Sequence, residues 1–259
     1  MLKKLLGAVQ FLTILPVPSG SVHANADDIG KSSAYFPVVG IIQGFLLALV
    51  YAVFTLIFPN DIVAALLVTA LVLSNGGFHL DGLSDTVDAL ASRKSKERMI
   101  AIMKDSTTGP IGVVSIVLII LLKYLLFKNV VSLPDSTAYV ALVLTPALAR
   151  WCMVPALFHA KSARSDGLGK IFIEQTGARE LFMATCLILG ITTAIFLVMS
   201  QLIMLLKMIV IFILVYILSF SMSRFFAKKF GGLTGDNLGA ITEMSEVIFL
   251  LMFLGCYPK

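Results

Sequence analysis

The sequence predicts an all-α, polytopic integral membrane helical bundle of about seven transmembrane helices, preceded by an N-terminal interfacial helix. Three observations carry that expectation. Of 259 residues, 58% are hydrophobic and only 14% are charged, whereas water-facing domains carry about a quarter charged. Mean hydropathy is +0.97. The apolar residues fall in continuous runs rather than alternating, which suits helices over a β-barrel. No loop is long enough for a separate soluble domain, so residues 1–259 read as one membrane-embedded domain.

The elements follow in order. In LKKLLGAVQFLTIL, residues 2–15, Leu2, Leu5, Leu6, Val9 and Leu12 share one helical face, with Lys3, Lys4 and Gln10 elsewhere. That pattern fits a helix lying in the membrane interface; Pro16-Val17-Pro18 follows it instead of a signal-peptide cleavage site. Crossings are expected at 36–58, 62–78, 108–127, 137–157, 181–200, 203–223 and 241–256, the second and last of them short. Cys152, Cys186 and Cys256 lie in apolar stretches at no zinc or redox spacing and read as packing residues.

These crossings place the segments 1–35, 79–107, 158–180 and 224–240 on one side. That side holds nearly all the lysines and arginines; the other has only Lys123, Lys128, Lys207 and Lys259. Excess positive charge marks the cytoplasmic side. The long polar loops are therefore expected to face the cytoplasm from the inner (cytoplasmic) membrane. The net charge of +5 bears on that orientation, and with no basic patch interleaved with aromatics no nucleic-acid partner is expected.

Against this apolar background, GGFHLDGLSDTVDAL at 76–90 stands out. On a helix, Asp81, Asp85 and Asp88 are spaced i,i+4 and i,i+3 and share a face. Like charges so placed repel, and a hard divalent cation such as Mg2+ is the natural way to offset them. His79 is positioned to order a ligand or act as a base. GGLTGDNLGAITEMSE at 231–246 adds a glycine turn, Gly231, Gly232 and Thr234, whose amides can hold phosphate. It also adds Asp236 as a metal-ligand candidate, and Glu243 and Glu246 at the mouth of the last crossing. MKDSTTGPIG at 103–112 supplies Lys104 to neutralise phosphate, with Asp105 and Ser106 as site candidates or alternatively as caps of the helix near Pro110. Arg150 lies inside a crossing and should face an acid or an anionic ligand. Carboxylates for metal and cations for phosphate at one rim suggest phosphoryl transfer. The rival readings are a cation-coupled transporter, a different membrane phosphotransferase and a non-catalytic scaffold.

These stretches, with FLTILPVP at 11–18, YFPVVGIIQG at 35–44 and ARWCMVPAL at 149–157, resemble the cobalamin synthase family (adenosylcobinamide-GDP ribazoletransferase) and run in that family's order. The resemblance implies that adenosylcobinamide-GDP and α-ribazole, or its 5′-phosphate, are joined to give adenosylcobalamin, or its 5′-phosphate, and GMP. It also implies Mg2+ as cofactor. The expected partners are these two substrates and the lipid bilayer, with a homo-oligomer left open. On chemical grounds, Asp81, Asp85, Asp88 and Asp236 would hold Mg2+. Lys104 and Arg150 would offset charge, His79 or an aspartate would take the hydroxyl proton, and Asp105 joins the catalytic candidates. Ser106, Gly231, Gly232, Thr234, Glu243 and Glu246 complete the expected substrate contacts.

Overall fold

The computed structural model describes residues 2–17 and 26–256; Pro18 and Lys259 lie outside them. Its elements are α1 (Leu2–Leu12), α2 (Ala26–Gly30), a 3-10 turn (Lys31–Tyr35), α3 (Phe36–Phe54), α4 (Asn60–Ser74), α5 (Phe78–Ala91) and α6 (Lys96–Ile102). They continue with α7 (Pro110–Val131), α8 (Asp135–His159), α9 (Leu168–Gln175), α10 (Ala178–Val198), α11 (Leu202–Phe230) and α12 (Gly235–Gly255). Among the described residues there is no strand, only an isolated bridge between Ser162 and Leu233.

Among the described residues six helices are long and apolar enough to cross a membrane, the first of them running continuously over Asp28–Phe54. A seventh is reached if α4 and α5, bent by 85° at the turn between them, count as one broken span. The cause is local. Gly76 and Gly77 hold φ of 65° and 77°, left-handed values that glycine adopts without steric cost. The Gly77 amide donates to the Asn75 side chain at 3.0 Å. Helix α4 has 15 residues, about 22 Å at 1.5 Å per residue. We read it as the crossing arm and α5 as lying outside the crossing, over the ends of its neighbours. The second crossing expected from sequence therefore stops short of Phe78. The last crossing starts at Gly235, six residues earlier than its apolar run, because its two glutamates are neutralised inside the bundle.

Helix α8 is the centre of the bundle, its apolar window 94% buried. Helices α3, α10, α11 and α12 pack around it. On α3, Gly40 and Gly44 form a GxxxG pair. A Cβ on Gly40 would lie 2.4 Å from the Pro146 carbonyl oxygen, and one on Gly44 would lie 2.6 Å from Val143 Cα. Small residues at this spacing let two membrane helices touch backbone to backbone. The outward face of α7 is apolar, with Val113, Val117, Leu118 and Leu121 exposed, while Lys123 is fully buried. This inside-out distribution is what a lipid-facing bundle requires. Helix α1 docks on the rim, with Phe11 4.3 Å from Phe172 of α9, centroid to centroid.

A Gly44→Leu substitution is expected to push α3 from α8 and destabilise the fold by about 3 kcal/mol. The check is a lower thermal midpoint, or loss of the monodisperse peak, in detergent.

Candidate functional site

Helix α5 crosses the N-termini of α7 and α12 at the rim, and backbone contact fixes the crossing. A Cβ on Gly82 would lie 2.7 Å from the Asp236 carbonyl oxygen, and one on Gly239 3.0 Å from the His79 carbonyl oxygen. The Asn237 side chain ties the joint by donating to Thr86 Oγ1 at 3.0 Å. Asp81 and Asp85 are thereby brought toward Asp236 on the first turn of α12. Helix N-termini favour negative charge, so the acids gather where the backbone field tolerates them.

A cavity of 340 Å³ opens at this joint, lined by His79, Asp81, Asp236, Phe78, Met153 and Leu168, with Gln10 and Phe11 of α1 along one side. Arg164 reaches it from the loop before α9. That loop is stitched to the turn before α12: the Leu233 amide donates to the Lys161 carbonyl at 2.8 Å, and the Ala163 amide donates to the Leu233 carbonyl at 3.0 Å. Arg164 Nη2 consequently donates to Asp236 Oδ2 at 2.5 Å. In sequence, Arg164 is one of many cations in the segment 158–180 with nothing to mark it out; only the chain pairing with 232–234 brings it to the site. Asp85 is half-buried. Burial first, then the charges of Asp81, Asp236 and Asp88, push its carboxyl up to about 7, while Arg164 acts in the opposite direction.

The structure redistributes the remaining candidates. Asp88 is occupied: Gly109 and Gly112 amides donate to its two oxygens at 2.7 and 2.8 Å. It caps α7 from another helix, so neither Asp105 nor Ser106 does so. Asp105 and Ser106 are exposed; Asp105 accepts from the Thr107 amide and hydroxyl at 3.0 and 2.8 Å. Lys104 pairs at 3.7 Å with Asp166, two residues from Arg164, on the exposed rim. Gly231 ends α11 with φ 84°. Gly232 is pressed against the Lys161–Ala163 backbone. Thr234 accepts from the Asn237 amide to cap α12, with the Asn237 side chain closing a capping box. The 231–234 turn is thus a helix connection that positions Asp236, in place of the expected phosphate cradle.

Arg150, Glu243 and Glu246, expected as substrate contacts, are sealed in the bundle at 0–1% exposure. Lys123 Nζ lies 2.6 Å from Glu243 Oε2 and also pairs with Glu246, which Arg150 pairs from α8. The two cations and two anions cancel. Lys123, expected near the outer side, is an interior residue. Arg150 Nη2 also stands 3.4 Å from His79 Nδ1. Since arginine can only donate, Nδ1 is the acceptor and the ring proton sits on Nε2. On that tautomer His79, which lines the cavity, carries a donor at Nε2.

Among the described residues no three His, Cys, Asp or Glu side chains converge as a metal cage. The four-aspartate ligand set is therefore not assembled: Asp88 is spent on α7, and Asp236 shares an oxygen with Arg164. Asp81 and Asp85 fit a smaller role, since Mg2+ commonly takes one or two carboxylates and completes its shell with water and substrate phosphates.

Fold and site together define a polytopic helical membrane protein with an acidic, arginine-edged cavity at one rim. The chain belongs to the cobalamin-5-phosphate synthase family, whose model matches residues 4–254. It is similar to the adenosylcobinamide-GDP ribazoletransferase of Caldanaerobacter subterraneus subsp. tengcongensis, at 37% identity over 97% of this chain and 98% of that one. The enzymes of the same name from Acetivibrio thermocellus (36% identity, 97% of each chain) and Thermodesulfovibrio yellowstonii (31%, 98% and 96%) are similar over the same extent. No solved structure matches the chain.

Two outcomes test the buried electrostatics. Glu246→Gln leaves Lys123 and Arg150 short of an anion and should cost about 3–5 kcal/mol, read as a lowered thermal midpoint. Lys123→Met combined with Glu243→Gln should cost less than the sum of the two single changes. At the rim the sign reverses. A carboxyl raised from 3.8 to about 7 penalises the fold once it ionises, so metal-free stability from this group is greatest at low pH and declines as pH rises toward 7. Asp85→Asn should therefore raise the thermal midpoint above pH 7, and the gain should shrink as pH falls toward about 4.

Proposed function

We propose that the protein is an adenosylcobinamide-GDP ribazoletransferase that works at the cytoplasmic face of the inner membrane. The carrying observation is that Asp81, Asp236 and His79 line one cavity, with Arg164 held at Asp236. Membership of the family and the shared name of its full-length relatives support the reaction. The excess of lysine and arginine on the rim that carries the cavity supports the orientation.

In this reaction a ribazole hydroxyl forms a bond to the phosphorus carried by cobinamide. The bridging P–O bond of the diphosphate breaks, and GMP leaves with that electron pair. Asp236, which lines the cavity, would take the hydroxyl proton. The Nε2–H of His79 donates to a phosphoryl oxygen, and Arg164 can exchange Asp236 for the charge on the departing phosphate. Mg2+, held by Asp81 and Asp85, would neutralise diphosphate oxygens. Phe11, Phe78, Met153 and Leu168 give the cavity an apolar wall beside its acids. The ribazole-phosphate and ribazole reactions use the same set of groups.

Purified protein should convert adenosylcobinamide-GDP and α-ribazole to a cobalamin and GMP in the presence of magnesium, followed by chromatography of both products. Asp85→Asn and Asp81→Asn should each abolish turnover while remaining folded and membrane-inserted. Arg164→Gln should slow GMP release by about 10²-fold. Near-normal GMP release by Asp85→Asn would remove the rim acids from the mechanism.

A further inference from the structure

On the far side of α5 from the catalytic cavity, the rim carries a second concavity of 700 Å³ lined by Arg93, Lys94, Lys96, Lys228 and Lys229, with Leu90, Met99 and Phe225 beneath them. No carboxylate lines it. None of these five cations forms an ion pair among the described residues; Lys229 instead stands 5.9 Å over the Phe225 ring. Glu97, the acid of the neighbouring α6, is fully exposed and does not line the space. All five are exposed and form a one-signed patch whose field attracts an anion.

A second groove continues from the first. It holds 320 Å³, its lining is almost wholly apolar, and it descends between α5, α11 and α12 past Val87, Phe226, Ala240 and Met244. Leu90 and Phe225 belong to both spaces. Met244 is nine residues into α12, about 13 Å below the rim at 1.5 Å per residue. Met244 and Phe225 are both partly exposed on the lipid-facing surface, so the groove is open sideways to the bilayer.

We propose that this pair of spaces binds one anionic phospholipid, its phosphate among the five cations and an acyl chain in the apolar groove. A soluble phosphate would use the cations alone and leave the groove unfilled. A zwitterionic lipid would leave the charge unbalanced. Basic pockets beside membrane helices recognise anionic headgroups on this principle. The seated lipid braces α5 against α11 and α12 from the side opposite the cavity, tying the position of the rim acids to the composition of the surrounding leaflet.

The test uses full-length protein, delipidated in neutral detergent. Dioleoyl phosphatidylglycerol should raise the thermal midpoint and remain bound in native mass spectra. Dioleoyl phosphatidylcholine, glycerol 3-phosphate and inorganic phosphate should do neither. The double variant Lys228→Gln/Lys229→Gln should weaken phosphatidylglycerol binding about thirtyfold. Met244→Trp, which keeps every charge and fills the groove, should weaken it as well. Both variants should release GMP like wild type in neutral detergent. Equal protection by glycerol 3-phosphate, with Met244→Trp without effect, would make this a soluble-anion site and overturn the proposal. Equal binding of phosphatidylcholine, with the double variant unaffected, would reduce it to ordinary lipid contact and overturn it too.

Discussion

The bundle depends on four charges that cannot reach water. Lys123 on α7, Arg150 on α8, and Glu243 and Glu246 on α12 are buried together and sum to zero. Ionised groups in an apolar interior persist only when paired and hydrogen-bonded. That requirement fixes the rotation and height of three helices at once, because a shift of one residue on any of them would strand a charge. The height of α12 determines where its first turn emerges, and therefore where Asp236 stands. The contact from Arg150 to His79 extends the same constraint to α5.

Helix α5 converts this alignment into a site. The glycine turn after α4 bends the chain by 85°, laying α5 across two helix N-termini. Asp88 is consumed at the first, where the Gly109 and Gly112 amides take both of its oxygens. Asp81 and Asp85 remain for the second, beside Asp236. Three carboxylates in one sequence pattern thus divide into an anchor and a reactive pair. The anchor is what lets the pair be held still, since a freely rotating α5 would carry Asp81 and Asp85 away from the like charge of Asp236.

Much of this was legible in the residues. Continuous apolar runs gave the bundle, and i,i+4 and i,i+3 spacing put Asp81, Asp85 and Asp88 on a helix. What escaped was long-range pairing. The expectation that Arg150 faces an acid holds, the acid being Glu246, but the pattern did not tie Glu243 and Glu246 to Lys123. Lys123, in the middle of the apolar run 113–127, was the available signal: an isolated lysine there needs an acid partner, and two glutamates on another crossing were waiting for one. Arg164 was not recoverable from local pattern. Its place follows from the pairing of 161–163 with Leu233, a contact across about 70 residues that no periodicity encodes.

The same molecule thus handles charge in two opposite ways. In the core, opposite signs cancel and the ionic groups hold the helices in register. At the rim, Asp81, Asp85 and Asp236 face one arginine, and the raised Asp85 carboxyl marks the imbalance. Such an arrangement is costly for an empty fold, and it is tolerable because the core fixes the helices from beneath. Any cation or cation-bearing substrate that fills the deficit binds the folded state alone and stabilises it by mass action. The unbalanced rim is therefore the part of the structure that only its ligands complete, whereas the balanced core is complete without them.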